Sequence, residues 1–393
     1  MFIRQAFFQL EAHLPKKQAT VITGMRRVGK TTAVKYLLEK TPHSNKIYLD
    51  LERIEYRHLF NQASYADIER GLAQLGIDFS RPAVIALDEI QLVNNLPSVI
   101  KSLYDTYGVK FIVSGSSSFY IKNHFSESLA GRKKIFELWP LDFKEFLEFR
   151  HLYKPEIEQE RGRLFLRTYY DLYHGAYEAF IKYGGFPEVV LAESDDDRAD
   201  YLSDIINAYI ELDIKLLSDF EMTDSLYKLM LLLAVRSGNK LDYSKLSSIT
   251  GISRNKIKDY ILLLEHTYFI RLIRPLSKGI DKELTSQPKV YFTDTGILQQ
   301  LGTGLSGGQV FENTVANQLA QLGQLNYFEK SRSMEIDFVV DGQTAYEVKE
   351  TPTPQHLNKL QYAAASIGLP QSQLIGRYPA SQFKDFIWGG NVF

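Results

Sequence analysis

The residues with the plainest chemistry lie near the start of the chain: Gly24-Met25-Arg26-Arg27-Val28-Gly29-Lys30-Thr31-Thr32. Two glycines with four residues between them, then lysine and a hydroxyl, form the pattern GxxxxGK[ST]. The glycines let the backbone curl so that successive N–H groups aim at phosphate oxygens. In such a loop the lysine reaches the β- and γ-phosphates and the hydroxyl ligates Mg²⁺. The pattern therefore predicts a site for ATP with Mg²⁺, with Lys30 and Thr31 in those roles. A β-run precedes it and a helical run follows, so the helix beginning near Lys30 adds its positive N-terminal end.

A second pattern fits the same chemistry. Val84-Ile85-Ala86-Leu87-Asp88-Glu89 reads as a buried strand ending in two carboxylates. Asp88 at the strand tip suits the Mg²⁺ shell, and Glu89 is placed to act as general base on the attacking water. The next strand ends in Ser114-Gly115-Ser116-Ser117-Ser118; Ser114 or Ser116 is expected to sense the γ-phosphate.

Two further groups lie toward the other end. Arg254, Asn255, Lys256 and Lys258 open a predicted helix, and Arg271, Arg274 and Lys278 lie in or after the β-runs that follow it. Basic and amide side chains so placed can grip DNA phosphates or base edges; the same segment could equally be a lid or a protein dock. In the tail, Glu347-Val348-Lys349 and Glu335-Ile336-Asp337 alternate along two strands, and Glu312 sits on the preceding helix. Asp337 and Glu347 could bind Mg²⁺ and activate water while Lys349 stabilises developing charge. Glu312, Asp337, Glu347 and Lys349 together make the PD-(D/E)xK nuclease pattern, which serves cleavage or binding alone.

The elements that must position these groups follow from periodicity. Ala19–Thr23, Lys46–Asp50, Ala83–Leu87 and Lys110–Ser114 read as strands, with a fifth at Ile135–Leu138; Lys30–Lys40, Tyr65–Leu75 and Leu96–Tyr107 read as helices. This alternation predicts an α/β fold with a parallel sheet covered on both faces. Helices follow at Asp142–Phe149, Arg163–Tyr183 and Arg198–Leu217, punctuated by Gly184-Gly185-Phe186-Pro187, with Asp195-Asp196-Asp197 as a solvated turn before the last. Leu226–Arg236, Ser244–Ile249 and Ser253–His266, with Gly251 in the turn, predict a helix-turn-helix, and Tyr268–Ile273 and Lys289–Phe292 its wing. Gly302–Gly308 reads as a flexible linker into a last α/β unit: helix Phe311–Leu322, strands at Asn326–Phe328, Glu335–Val340 and Ala345–Lys349, and helix Gln355–Ile367.

Length and composition bound the reading. A chain of 393 residues implies several domains, and 45% hydrophobic with 24% charged residues is ordinary globular composition. A net charge of −1 excludes a global positive field, so contact with DNA would need a local patch. Without cysteine the chain has no disulfide, cysteine-ligated zinc or thiol nucleophile. The N-terminal apolar run is broken by Arg4 and Gln5 and reads as no secretory signal, and no run is long enough to span a membrane. A soluble, cytoplasmic protein is expected, with no membrane partner.

The segments GMRRVGKTT, ALDEIQ, FIVSGSSS, LAGRKKIFELWPLDFKEF and GGFPEVV, with FENTVANQL, MEIDFVV and AYEVKE in the tail, resemble prokaryotic AAA+-type ATPases with a C-terminal nuclease-like domain. The resemblance covers nearly the whole chain. It implies a P-loop AAA+ core over 1–140, a helical lid over 141–222, a winged helix over 223–300 and a restriction-endonuclease-like α/β domain over 301–393. Lys30, Thr31, Asp88 and Glu89 map onto the family's nucleotide-site motifs. Arg132, in Leu129-Ala130-Gly131-Arg132, becomes a candidate arginine finger acting across a homo-oligomer, with Arg26 and Arg27 as the other cationic candidates. Two functions stand: an ATPase whose nucleotide state moves the winged helix and tail on DNA, or a slow ATPase serving as a protein-docking switch with an inactive tail.

The tail poses one problem of register. Asp341-Gly342 favours a two-residue hairpin turn, which would turn Glu347 and Lys349 away from Asp337, because one residue of slip flips every side chain. An odd loop, Asp341-Gly342-Gln343, instead sets Asp337 against Glu347 and Glu335 against Lys349, leaving Ile336, Phe338, Tyr346 and Val348 as the apolar face. The odd register is predicted because it alone separates polar from apolar residues.

Overall fold

The computed structural model describes residues 2–116, 131–156, 163–214, 223–277, 286–331 and 334–392. Ser117, Ser118, Leu129, Ala130, Lys278 and the end of the helix expected to reach Leu217 lie outside the described residues. The chain divides into two compact units, Met1–Trp139 with His266–Tyr268, and Pro140–Glu265 with Phe269–Phe393.

In the first unit, α1 (Gln5–His13) precedes β1 (Ala19–Thr23), α2 (Lys30–Lys40), β2 (Lys46–Asp50), α3 (Ile54–Phe60), α4 (Tyr65–Gln74), β3 (Val84–Asp88), α5 (Leu96–Tyr107), β4 (Lys110–Gly115) and β5 (Lys133–Glu137). Helices α1 and α3 are additions to the expected set. The five strands lie in the order β2-β3-β4-β1-β5, and every pairing is parallel. All residues of β1 and β3 are buried, as befits a parallel sheet with both faces covered. Val21, Leu49, Ile85, Leu87, Val99, Leu103 and Phe111 share its core. Strand β4 follows β3 in sequence but inserts between β1 and β3. Parallel strands end together, so the phosphate loop, Asp88 and Ser114 all emerge at one carboxyl edge, where ligands of such sheets bind.

The second unit begins with helices α6 (Phe143–Phe149), α7 (Arg167–Tyr183), α8 (Pro187–Leu191) and α9 (Asp195–Ala208), the last running into a π-helical turn, Tyr209–Ile214. The triplet Asp195-Asp196-Asp197 is the first turn of α9 itself, capped by Ser194, where carboxylates favour the positive helix end. Gly184 and Gly185 mark a close approach: a Cβ on Gly184, at φ +76°, would lie 2.2 Å from Asp294 Oδ1. The Gly185 N–H donates to Asp294 Oδ2 at 2.7 Å. Burial pushes the Asp294 carboxyl up to about 6.

Then come α10 (Thr223–Val235), α11 (Tyr243–Thr250), α12 (Arg254–His266), β6 (Ile270–Pro275) and β7 (Lys289–Phe292). Gly251 closes α11 in the left-handed region at φ +73°, and β6 pairs antiparallel with β7. The remaining elements are α13 (Thr295–Leu301), α14 (Gly307–Leu319), β8 (Leu325–Ser331), β9 (Met334–Val340), β10 (Thr344–Lys349), α15 (Pro354–Ile367), β11 (Gln371–Gly376) and β12 (Ile387–Trp388). The glycine-rich stretch read as a flexible linker opens α14 at Gly307, with Ser306 and Gln309 forming a capping box. Strands β6 and β7 continue into the tail sheet, whose order is β12-β11-β10-β9-β8-β6-β7. The join is a short parallel contact, Arg274 against Asn326 and Pro275 against Tyr327.

The β9–β10 hairpin has the odd register: Thr344 faces Val340, Ala345 faces Val339 and Tyr346 faces Phe338, leaving Asp341-Gly342-Gln343 as the loop. Asp341 and Gly342 take φ of +50° and +64°. Between the β8–β9 pairs Asn326–Val339 and Phe328–Ile336, β9 spends one residue more than β8, a bulge at Asp337-Phe338. The bulge corrects one expectation: Ile336 packs with Val339, Ala345 and the α15 residues Leu360, Ala363 and Ala364. Among the described residues no helix is long and apolar enough to cross a membrane.

Candidate functional site

The phosphate loop is shaped by backbone that few residues adopt. Gly24, at φ +151°, packs so closely on β5's exit that a Cβ would stand 2.1 Å from the Leu138 carbonyl oxygen. Arg27 and Gly29 also hold positive φ, +62° and +98°. Met25 and Val28 turn into the core, whereas Arg27, Thr31 and Thr32 are exposed. The Lys30 ammonium, on an otherwise buried side chain, donates to the carbonyls of Gly24 and Met25, each at 2.9 Å. Arg4, from before α1 and unsuspected from sequence, props the loop by donating to the carbonyls of Val28 at 3.0 Å and Trp139 at 2.9 Å.

Asp88 is the hub. Its Oδ2 accepts the Thr31 hydroxyl at 2.6 Å and the Tyr48 hydroxyl at 2.9 Å, and its Oδ1 accepts the Ser114 hydroxyl. Glu89 occupies the left-handed region at φ +55°. Its carboxylate accepts from the Gln91 amide, which also donates to Ser116 Oγ at 3.1 Å. Arg26 lies 3.9 Å from Glu89 and 3.4 Å from Glu52. The expected residues thus gather at one sheet edge in two hydrogen-bonded sets, Thr31 and Ser114 on Asp88, and Glu89 with Ser116 through Gln91, while Arg26 lies beside Glu89 and Lys30 is held by the loop carbonyls. Arg132 is elsewhere. Its carbonyl receives the Ala19 N–H at 2.7 Å, at the amino edge of the sheet, and its guanidinium binds Asp105 at 3.0 and 3.2 Å. It stands a strand length from this chain's own loop.

The tail residues also converge. Lys349 Nζ lies 2.6 Å from Glu347 and 3.4 Å from Asp337. The bulge lets the Asp337 carboxylate accept the Val348 N–H at 2.9 Å, replacing a ladder bond. Glu312 accepts the Tyr291 hydroxyl at 2.6 Å. Glu335 does not face Lys349 as expected; it pairs with Lys289 on β7 at 2.7 Å. Burial, then the charge of Asp337, pushes both Glu312 and Glu347 up to about 7. Burial works against the Lys349 ammonium, but the charges of Asp337 and Glu347 outweigh it and hold the proton more tightly than usual. Among the described residues no three carboxylate or imidazole groups are gathered to hold one metal ion.

Sequence reasoning missed Tyr48, Gln91, Lys289 and Tyr291. For Tyr48 and Lys289 a signal existed: a polar side chain inside an apolar strand, Lys46-Ile47-Tyr48-Leu49 and Lys289-Val290-Tyr291-Phe292.

Residues 16–147 match the family model described as an AAA domain, and residues 175–308 match one described as a domain of unknown function. An uncharacterized protein of Methanocaldococcus jannaschii is 25% identical over 93% of this chain and 83% of its own length. Another, of Haemophilus influenzae, is 27% identical over 84% of this chain and 83% of its own. Among solved structures, the Aeropyrum pernix ORC1 protein in complex with DNA is 13% identical, with a TM-score of 0.34 over 82% of this chain and 95% of that one, a weak overall likeness. The parallel α/β sheet of the first unit, with its phosphate loop, agrees with the AAA-domain match over residues 16–147.

Proposed function

We propose that this protein binds ATP with Mg²⁺ and hydrolyses it, and that its nucleotide state drives the 223–300 segment, as a winged helix, and the 301–393 segment, as a nuclease-like module, on DNA. The 1–140 segment would be the ATPase core and 141–222 its lid. One observation carries the reading: Thr31, Asp88 and Ser114 meet at the sheet edge where Lys30 is drawn over the loop. The donor set fits Mg²⁺, a hard cation that takes oxygen ligands, since the Thr31 hydroxyl and Asp88 carboxylate lie 2.6 Å apart. When bound, the ion would neutralise charge on the β- and γ-phosphates. Lys30 supplies a further cation there, and Glu89 takes the proton of the attacking water. Glu89→Gln should keep nucleotide binding and lose about 100-fold or more in turnover, while Lys30→Ala should lose binding itself. Turnover at the wild-type rate in Glu89→Gln would sink the assignment.

In the tail, Asp337 and Glu347 fit one cation between them, the position now taken by the Lys349 ammonium. That same ion pairing supports a second reading, a docking switch with an inactive tail. Stimulation of ATP turnover by double-stranded DNA, with DNA cleavage that Lys349→Ala abolishes, supports the first. Nucleotide-dependent protein binding without any effect of DNA supports the second.

A further inference from the structure

Asp88 makes more hydrogen bonds than the phosphate-loop motifs require, and the additional one comes from β2. Strands β2 and β3 pair in register, Tyr48 beside Ala86 and Asp50 beside Asp88. Tyr48 therefore shares a sheet face with Asp88 from two residues back, about 6.6 Å along the strand. The small Ala86 leaves the phenol room to cross that gap, and its hydroxyl reaches Asp88 Oδ2 at 2.9 Å. The ring is itself held, with the Lys35 ammonium 5.1 Å from its centroid. Because β3 lies between β2 and β4, the carboxylate is bracketed from both neighbouring strands, by Tyr48 on one side and Ser114 on the other. Thr31 approaches the same oxygen from α2.

We infer that Tyr48 is a positioning residue of the nucleotide site, fixing the Asp88 carboxylate for its part in Mg²⁺ binding. The inference rests on the proposed function and deepens it. Thr31 has its own oxygen to give to the ion, so it cannot orient Asp88 alone. Ser114 holds only Oδ1. Tyr48 is the group on Oδ2 with no other duty at the phosphates.

The test is Tyr48→Phe, which retains the ring and its contact with Lys35. Affinity for a fluorescent, non-hydrolysable ATP analogue is measured across a Mg²⁺ titration. Without Mg²⁺, variant and wild type should bind alike. The Mg²⁺ concentration that gives half of the tightening should rise about tenfold in the variant, the low end for losing a hydrogen bond to a charged group, since Thr31 and Ser114 remain. In turnover assays kcat at limiting Mg²⁺ should fall by a similar factor, with KM for ATP at saturating Mg²⁺ little changed. An unaltered Mg²⁺ titration overturns the inference. So does an equal loss of affinity with and without Mg²⁺, which would mark a purely structural role. If the wild-type chain shows no Mg²⁺-dependent nucleotide binding, the proposed function fails first and takes this inference with it.

Discussion

Raising the pH from 5 to 8 should loosen the tail sheet, and Glu312→Gln should remove a defined part of that effect. Glu312 and Glu347 are held at about 7 against an ordinary 4.5. A carboxyl whose folded value is raised binds its proton more tightly in the folded chain. The resulting stabilisation is fully present below pH 4.5 and is lost as pH rises through 7. At about 1.4 kcal/mol per tenfold change, the displacement is on the order of 2 to 3 kcal/mol, shared between groups that repel the same Asp337 charge, and most of it falls between pH 5 and 8. Glutamine at 312 keeps an acceptor for the Tyr291 hydroxyl but cannot ionise. The variant should therefore lose about 2 kcal/mol less than wild type over the same interval. Asp294, raised to about 6, slopes the same way in both proteins and cancels in the comparison. Amide hydrogen exchange of β9 and β10, corrected for its intrinsic pH dependence, reads the difference directly. Equal slopes in the two proteins, within about 0.5 kcal/mol, would refute the assignment of Glu312 to a buried, charge-repelled site.

The proposed finger role of Arg132 predicts that Arg132→Ala lowers ATP turnover and leaves nucleotide affinity intact, since Arg132 stands at the amino edge of the sheet, paired with Asp105 and away from its own loop, and would act on another copy. Mixing it with Lys30→Ala should then restore part of the activity, and no rescue at any ratio would remove Arg132 as a finger. Gly24→Ala forces a Cβ to within 2.1 Å of the Leu138 oxygen at φ +151°. Overpacking and backbone strain together should cost about 2–4 kcal/mol, seen as a lower unfolding midpoint with lost nucleotide binding; an unchanged midpoint would contradict the packing described.

The sequence by itself determined the elements and the local chemistry. The phosphate loop announces itself because glycine spacing dictates a backbone, and Lys30 and Thr31 follow it within the same turn. Strand and helix periods placed β1, β2, α2, α5 and β7 at their observed limits, because burial on one or both faces imposes those periods. The odd β9–β10 register was legible too, since a single slip would have buried Lys349's face and exposed Val348's. What only the tertiary structure decided is which distant strands lie side by side. The insertion of β4 between β1 and β3 brings Ser114 to Asp88. The pairing of β2 with β3 brings Tyr48 to the same carboxylate, and the joining of β7 to the tail sheet brings Lys289 to Glu335. The bulge that turns Asp337 toward Val348 depends on β8 as much as on β9. A polar side chain in an apolar strand flags Tyr48 and Lys289 but does not name their partners, because which residues meet is set by the packing of whole strands, not by the conformational preference of any one segment.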